Sequence, residues 1–326
     1  MIGEVKPARV ALTPIQRKIW VAETDGSQKN NYSRIIVIKT SKCLEMGKLY
    51  NAWKDTLLSC DVLCSTISLK EPIQYFTETL PNFEICTIPD NVSVEYWIND
   101  QVHRLSSEKR FGVRILLADH NEFGTICIFM THYILCDNSS INLIVKEVSD
   151  RYLELDVPKK ENYKVYTSEL EAEYAEPTSK EVSAMFEGGT SSLPEKAVLF
   201  NEVDSIADGS LDGVFQKVSI TCNGIIFDYS HECIVAVAIS AWIYLLTGQN
   251  DIVLSIPGND RNNKFAHTVG LIDSVSFLRV QINESENFND LLLKVKSLLD
   301  ASHSQKNMIF DDEVISESKE DKAEDK

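Results

Sequence analysis

Apolar residues recur along this chain at two spacings, and the alternation between them predicts helices mixed with strands throughout. Over residues 44–58, Leu49, Trp53 and Leu57 fall four apart and predict a helix with one buried face. Ile141, Ile144, Val145, Val148 and Tyr152 mark a second such face. Thr13-Pro14 is a helix start, with Thr as cap and Pro at the first helical position, ahead of Ile15, Ile19 and Trp20. A further helix is predicted over 94–105. Shorter apolar runs predict strands at 34–39, 62–68, 73–77, 83–87, 113–118 and 125–130.

From about residue 156 to 198 the pattern breaks. Pro158, Pro177, Gly188, Gly189 and Pro194 lie among many charges, which reads as a linker with one charged helix over 167–174. Periodicity resumes near Leu199. A strand is expected over 214–221. A helix capped by Asp228 is expected to bury Ile234, Ala238, Ala241, Trp242 and Leu245. Strands at 251–256 and 275–282 and a helix at 288–301 follow. The expected division is a first lobe over 1–160, a linker over 161–198, a shortened second lobe over 199–310, and an acidic, disordered tail over 311–326. With helices and strands mixed throughout, each lobe should be a sheet covered by helices, an α/β (α+β) class.

The 326 residues suffice for two such lobes, and 44% apolar with 25% charged is a globular balance. No apolar run reaches the ~18 residues of a membrane span, and the first residues lack the pattern of a secretory signal. A cytoplasmic protein is expected. The net charge of −17 argues against nucleic-acid binding. Eight acids in the last sixteen residues supply part of it. Eight scattered cysteines show no second pair at zinc-like spacing, so buried thiols are expected and no metal.

The stretch with most chemistry is Thr131-His132-Tyr133-Ile134-Leu135-Cys136-Asp137-Asn138-Ser139-Ser140, between a strand and an amphipathic helix, with Ser139 or Asn138 as the expected helix cap. It resembles the His-His-x-x-x-Asp-Gly signature of nonribosomal peptide synthetase condensation domains, which join two carrier-bound acyl groups through an amide. The signature's second, catalytic histidine falls on Tyr133, and its glycine on Asn138. Leu12 to Trp20 resembles the family's first motif, and Ser59 to Thr66 is an eroded form of another. Leu246 to Pro257 resembles the second-lobe helix and strand. Gly258-Asn259-Asp260-Arg261 occupies the place of an Ala-Gly-Arg turn. Val269 to Arg279 resembles Gly-Phe-Phe-Val-Asn-Thr-Leu-Pro-Leu-Arg, with Ser274 at the Asn, and Gln305 to Phe310 echoes Gln-Asp-x-Pro-Phe.

The resemblance implies two chloramphenicol-acetyltransferase-like lobes in a V, with mixed sheets and a tunnel at the histidine motif. It implies that His132 and Tyr133 hold the catalytic positions. Asp137, Asn138 and Arg261 would shape the loop, Asp137 pairing with Arg261, and Ser140 and Ser274 would face the tunnel. It implies no bound cofactor. Substrates would be tethered to phosphopantetheine on a peptidyl or acyl carrier protein. The second lobe is short against the family pattern, so it is either trimmed or completed by another chain.

An imidazole with a pKa of ~6.5 can take or orient an amine proton at neutral pH; a phenol at ~10 cannot. Losing a positioned general base typically costs ~10²–10⁴ in rate. If Tyr133 faces the tunnel, its neighbour His132 points to the fold interior. Two readings follow: a condensation-like carrier- or partner-binding module with impaired catalysis, or an acyltransferase forming an amide or ester with an altered motif.

Overall fold

The Thr13 hydroxyl accepts a hydrogen bond from the Gln16 backbone N–H at 3.3 Å, and the Gln16 side-chain oxygen accepts from the Thr13 N–H at 3.0 Å. This reciprocal capping box starts α1 (Pro14–Thr24) where the sequence signals it. The computed structural model describes residues 8–24, 32–107, 111–120, 123–173 and 229–303. The chain divides into two units: Met1–Ala175 with Asn259–Ser274, and Glu176–Gly258 with Val275–Lys326.

The first unit is organised by a four-stranded sheet of β2 (Ser33–Lys39), β5 (Asn82–Thr87), β6 (Arg114–His120) and β7 (Gly124–His132), in the order β2-β7-β6-β5. β5 and β6 run parallel and the other pairs antiparallel, so the sheet is mixed. Every residue of β7 is buried because both faces are covered. On one face Cys127 and Phe129 join Trp53 and Leu57 of α2 (Met46–Leu58) and Ile144 of α4 (Asn138–Tyr152). On the other Ile126, Ile128 and Met130 join Val94, Ile98 and Leu105 of α3 (Val94–Ser107). A small antiparallel sheet sets β4 (Ile73–Phe76) between β1 (Ala8–Ala11) and β3 (Ser65–Ile67).

Two expectations fail here for one reason, the Asp61 carboxylate. Residues 62–68 were expected as a strand, but 61–64 form a single 3₁₀ turn and only Ser65–Ile67 pairs. Asp61 Oδ1 accepts from the Val62 N–H at 2.9 Å, a local bond that competes with extended chain. The same carboxylate accepts from the Tyr163 N–H at 2.8 Å and the Lys164 N–H at 3.0 Å, and so anchors the start of α5 (Tyr163–Glu173). The helix expected at 167–174 inside a linker thus begins four residues earlier, within the first unit. Tyr163, fully buried, stacks on Tyr166 and donates its hydroxyl to the Leu271 carbonyl at 3.0 Å.

In the second unit, α6 (His231–Thr247) is capped by Ser230, whose side chain accepts from the Cys233 N–H, and ends at Gly248 in the left-handed region (φ 72°). The cap expected at Asp228 is therefore replaced by Ser230. β8 (Asp251–Asn259) and β9 (Asp273–Gln281), whose ends at Asn259, Asp273 and Ser274 belong to the first unit, form a two-stranded sheet, and α7 (Phe288–His303) completes the described elements. Cys233, Ala236, Val237, Ser240 and Ile243 are the buried residues of α6. Trp242 and Leu245, expected inside, are 47% and 78% exposed. This helix is apolar all round, so its own periodicity does not choose a face. Packing against Ile252, Val280, Leu292 and Val295 does.

The strand expected at 214–221, Asp228, most of the 161–198 segment, Gln305 to Phe310 and the tail over 311–326 lie outside the described residues. Among the described residues, no helix is long and apolar enough to cross a membrane, and no group of three metal-type ligands forms. The seven cysteines described are free thiols.

Candidate functional site

β7 ends at His132, paired with Ser33 across β2, and the chain then turns sharply through residues 133–135. The turn closes on the His132 carbonyl, which accepts from the Leu135 and Cys136 N–H groups at 2.9 and 3.2 Å. Gln16 of α1 braces it from below: its side-chain nitrogen donates to the Ile134 carbonyl at 2.9 Å and to the Gln74 side chain at 3.2 Å. Successive side chains leave such a turn in different directions, and His132 and Tyr133 separate completely.

The His132 ring is buried edge-to-face against Phe111, with centroids 4.9 Å apart. Its Nδ1 accepts from the Ile134 N–H at 3.2 Å, which assigns the proton to Nε2, 3.4 Å from Glu23 Oε1. Burial pulls its pKa below the ordinary histidine value, against the opposing pull of the Glu23 charge. This is a neutral imidazole committed to the interior.

Tyr133 is half-buried. Its N–H donates to the Tyr32 carbonyl at 2.8 Å, and its hydroxyl donates to Asp273 Oδ2 at 3.0 Å. The Arg34 guanidinium lies 5.1 Å from its ring centroid. Burial, and then the Asp273 charge, push the phenol far above its ordinary value. Asp273, also half-buried, has its own carboxyl raised by burial and by the neighbouring Asp137 charge, with the Tyr133 hydrogen bond and Arg261 opposing.

Asp137 is fully buried and its carboxylate accepts four hydrogen bonds. Its side chain caps α4 by accepting from the Ser140 N–H at 2.7 Å. The cap is therefore Asp137, one residue ahead of Asn138 and two ahead of Ser139, the caps expected, because Asp137 has extended backbone with its oxygen over the first turn. Asp137 also accepts from Arg261 Nη1 at 2.9 Å and Nη2 at 2.8 Å, and from the Ile272 N–H at 2.9 Å. Ser140 is buried beneath this pair: its hydroxyl donates to the Gly270 carbonyl at 2.7 Å and accepts from the Gly270 N–H and Arg261 Nη2. Ser274 donates to Asp260 Oδ1 at 2.8 Å. Asn138 is exposed as the first residue of α4, and Glu154 is the one non-glycine residue with positive φ among those described. The loop therefore keeps its course without the conformational freedom of glycine at 138.

The residue that sequence reading missed is Asp273. It is the lone carboxylate in the apolar run 269–278 and falls on an apolar position of the motif resembled there, which is the signal that could have marked it. Gly270 was read only as part of that motif. A Cβ there would stand 1.9 Å from the Tyr163 ring, so it is glycine because the ring packs on its Cα. The assembled groups offer a phenol, a carboxylate with a raised pKa and a guanidinium on one half-exposed face, and an imidazole turned away from them.

The sequence matches the family described as Condensation domain over residues 7–326. It is similar to the nonribosomal peptide synthetase kk1B of Curvularia clavata, 21% identical over an alignment of 321 positions that covers 91% of this chain. The chain spans 2% of that curated relative's length. Among solved structures it is similar to a mutant starter condensation domain of rhizomide synthetase in complex with C8-CoA (TM-score 0.70, 14% identity, 92% of this chain and 72% of that one). It is also similar to the first condensation domain of the calcium-dependent antibiotic synthetase in complex with a substrate analogue (0.65, 15%, 92% and 76%). A third likeness is to the epimerization domain from the third module of tyrocidine synthetase B (0.66, 14%, 92% and 74%). At these identities the structural likenesses show the fold, which is the chloramphenicol-acetyltransferase-like fold expected from the motifs.

Proposed function

The chain belongs to the condensation-domain family, and on that premise we propose that it receives acyl groups tethered to phosphopantetheine on a peptidyl or acyl carrier protein without imidazole-driven peptide-bond formation. It then works as a carrier- or partner-binding module of a nonribosomal or hybrid assembly line. The observation that carries this reading is the side chain after His132. Where the family signature has its catalytic histidine, Tyr133 presents a phenol that already donates to Asp273. Its raised pKa removes it as a base at neutral pH. The neighbouring imidazole cannot substitute, because both its nitrogens are engaged in the interior.

Support also comes from what is retained. The Asp137–Arg261 pair, the α4 cap and the Gln16 brace keep the loop in shape, so the framework for holding a substrate persists beside the altered chemistry. The test uses a carrier protein loaded with an acyl-phosphopantetheine arm. Saturable binding of the loaded carrier is expected, with condensation onto an acceptor amine far below that of a histidine-bearing relative. Tyr133→His should raise the rate. Wild-type turnover equal to such a relative would overturn the reading, as would an absence of carrier binding.

A further inference from the structure

We propose that Asp273, held against the Tyr133 hydroxyl, is the proton acceptor for an incoming amine or alcohol, so that the loop retains a slow acyl transfer run by a carboxylate. This rests on the reading that a carrier-bound thioester reaches the loop, and it supplies the base which that reading leaves without an imidazole.

Three observations meet at this carboxylate. Asp273 Oδ2 lies 3.0 Å from the hydroxyl of Tyr133, the residue at the motif's catalytic position, so it stands one hydrogen bond from that place. It is half-exposed, whereas Asp137 is sealed inside and saturated by Arg261, Ser140 and Ile272. The charged and titratable groups around it are Tyr133, Asp137 and Arg261, with Tyr166 close enough to feel its charge and Arg34 lying 5.1 Å from the Tyr133 ring centroid. Burial and the Asp137 charge outweigh Tyr133 and Arg261 and raise its pKa, which makes it a stronger base than an ordinary aspartate.

The step balances within the two substrates. The nucleophile's nitrogen or oxygen forms a bond to the thioester carbonyl carbon, and its proton passes to Asp273. As the tetrahedral species collapses, the carbon–sulfur bond breaks, and Asp273 returns the proton to the departing phosphopantetheine sulfur. No oxidant, metal or further reactant enters.

The experiment follows acyl transfer from a loaded carrier, and from acyl N-acetylcysteamine thioesters, to a weakly basic amine at concentrations normalised to its free base. Wild type should give slow product, with a rate that rises through one carboxylate ionisation and shows no inflection near ~6.5, the imidazole value. Asp273→Asn should lower kcat on the order of 10²-fold with the donor KM and the melting temperature unchanged, and Asp273→Glu should recover part of the loss. Equal rates in wild type and Asp273→Asn, or an imidazole inflection, would overturn the proposal. Binding of loaded carrier without any product sinks this inference and spares the carrier-binding reading; failure to bind carrier sinks both.

Discussion

The carboxylate of Asp137 and the guanidinium of Arg261 meet side by side through two hydrogen bonds, 124 residues apart in sequence and both almost sealed from water. A pair of this kind is expensive to break from one side, since the remaining charge stays buried. Asp137→Ala or Arg261→Met should each destabilise the protein by about 3–5 kcal/mol in urea unfolding. The double variant should cost clearly less than the sum. Additive losses would show that the two side chains act independently.

Gly270 and Tyr163 make a second distant pairing, of shape. A methyl at 270 would overlap the buried phenol ring, so Gly270→Ala should cost about 1–3 kcal/mol or more through forced displacement of α5. Combining it with Tyr163→Leu should return part of the loss. A Gly270→Ala protein with wild-type melting would refute the close packing.

Acid should unfold the first unit in two stages. His132 has a folded pKa below its unfolded value of ~6.5, so the unfolded chain binds more protons as pH falls below that point. The stability it contributes is complete above ~6.5 and declines as pH drops toward the lower folded value. Burial pushes the Glu147 carboxyl up, but its hydrogen bonds from Lys160 and Arg151 together leave it below its ordinary value. Its contribution is therefore present above about 4.3 and is lost as pH falls through the lower folded value. Melting temperature against pH should lose the upper stage in His132→Phe and the lower stage in Glu147→Gln. Unchanged profiles would count against these assignments.

The face of α6 gives a direct contrast. Val237→Ala empties a buried site and should cost about 0.5–1.5 kcal/mol or more, whereas Trp242→Gln on the exposed side should fall within about ±0.5 kcal/mol. The reverse ranking by thermal denaturation would restore the face that periodicity suggested.

Much of the first unit was legible in its sequence. Leu49, Trp53 and Leu57 are buried on α2, and the Thr13-Pro14 start is a working cap. Both rest on local spacing and local hydrogen bonding, which a chain carries with it wherever it folds. The helix start at Tyr163 was illegible because its anchor, Asp61, lies about a hundred residues earlier. The α6 face failed because a helix apolar on all sides leaves the choice to its neighbours.

The sequence alone determined most of the helices and strands among the described residues, the motif order that marks the family, and the presence of a phenol where that family's signature has an imidazole. Tertiary structure decided what each motif side chain does. It turned His132 inward to Glu23, brought Asp273 across 140 positions to the Tyr133 hydroxyl, and closed Arg261 on Asp137. The division has one physical cause. Backbone propensity and apolar spacing act within a few residues, whereas the protonation and reach of a polar side chain depend on which distant groups the folded chain sets beside it.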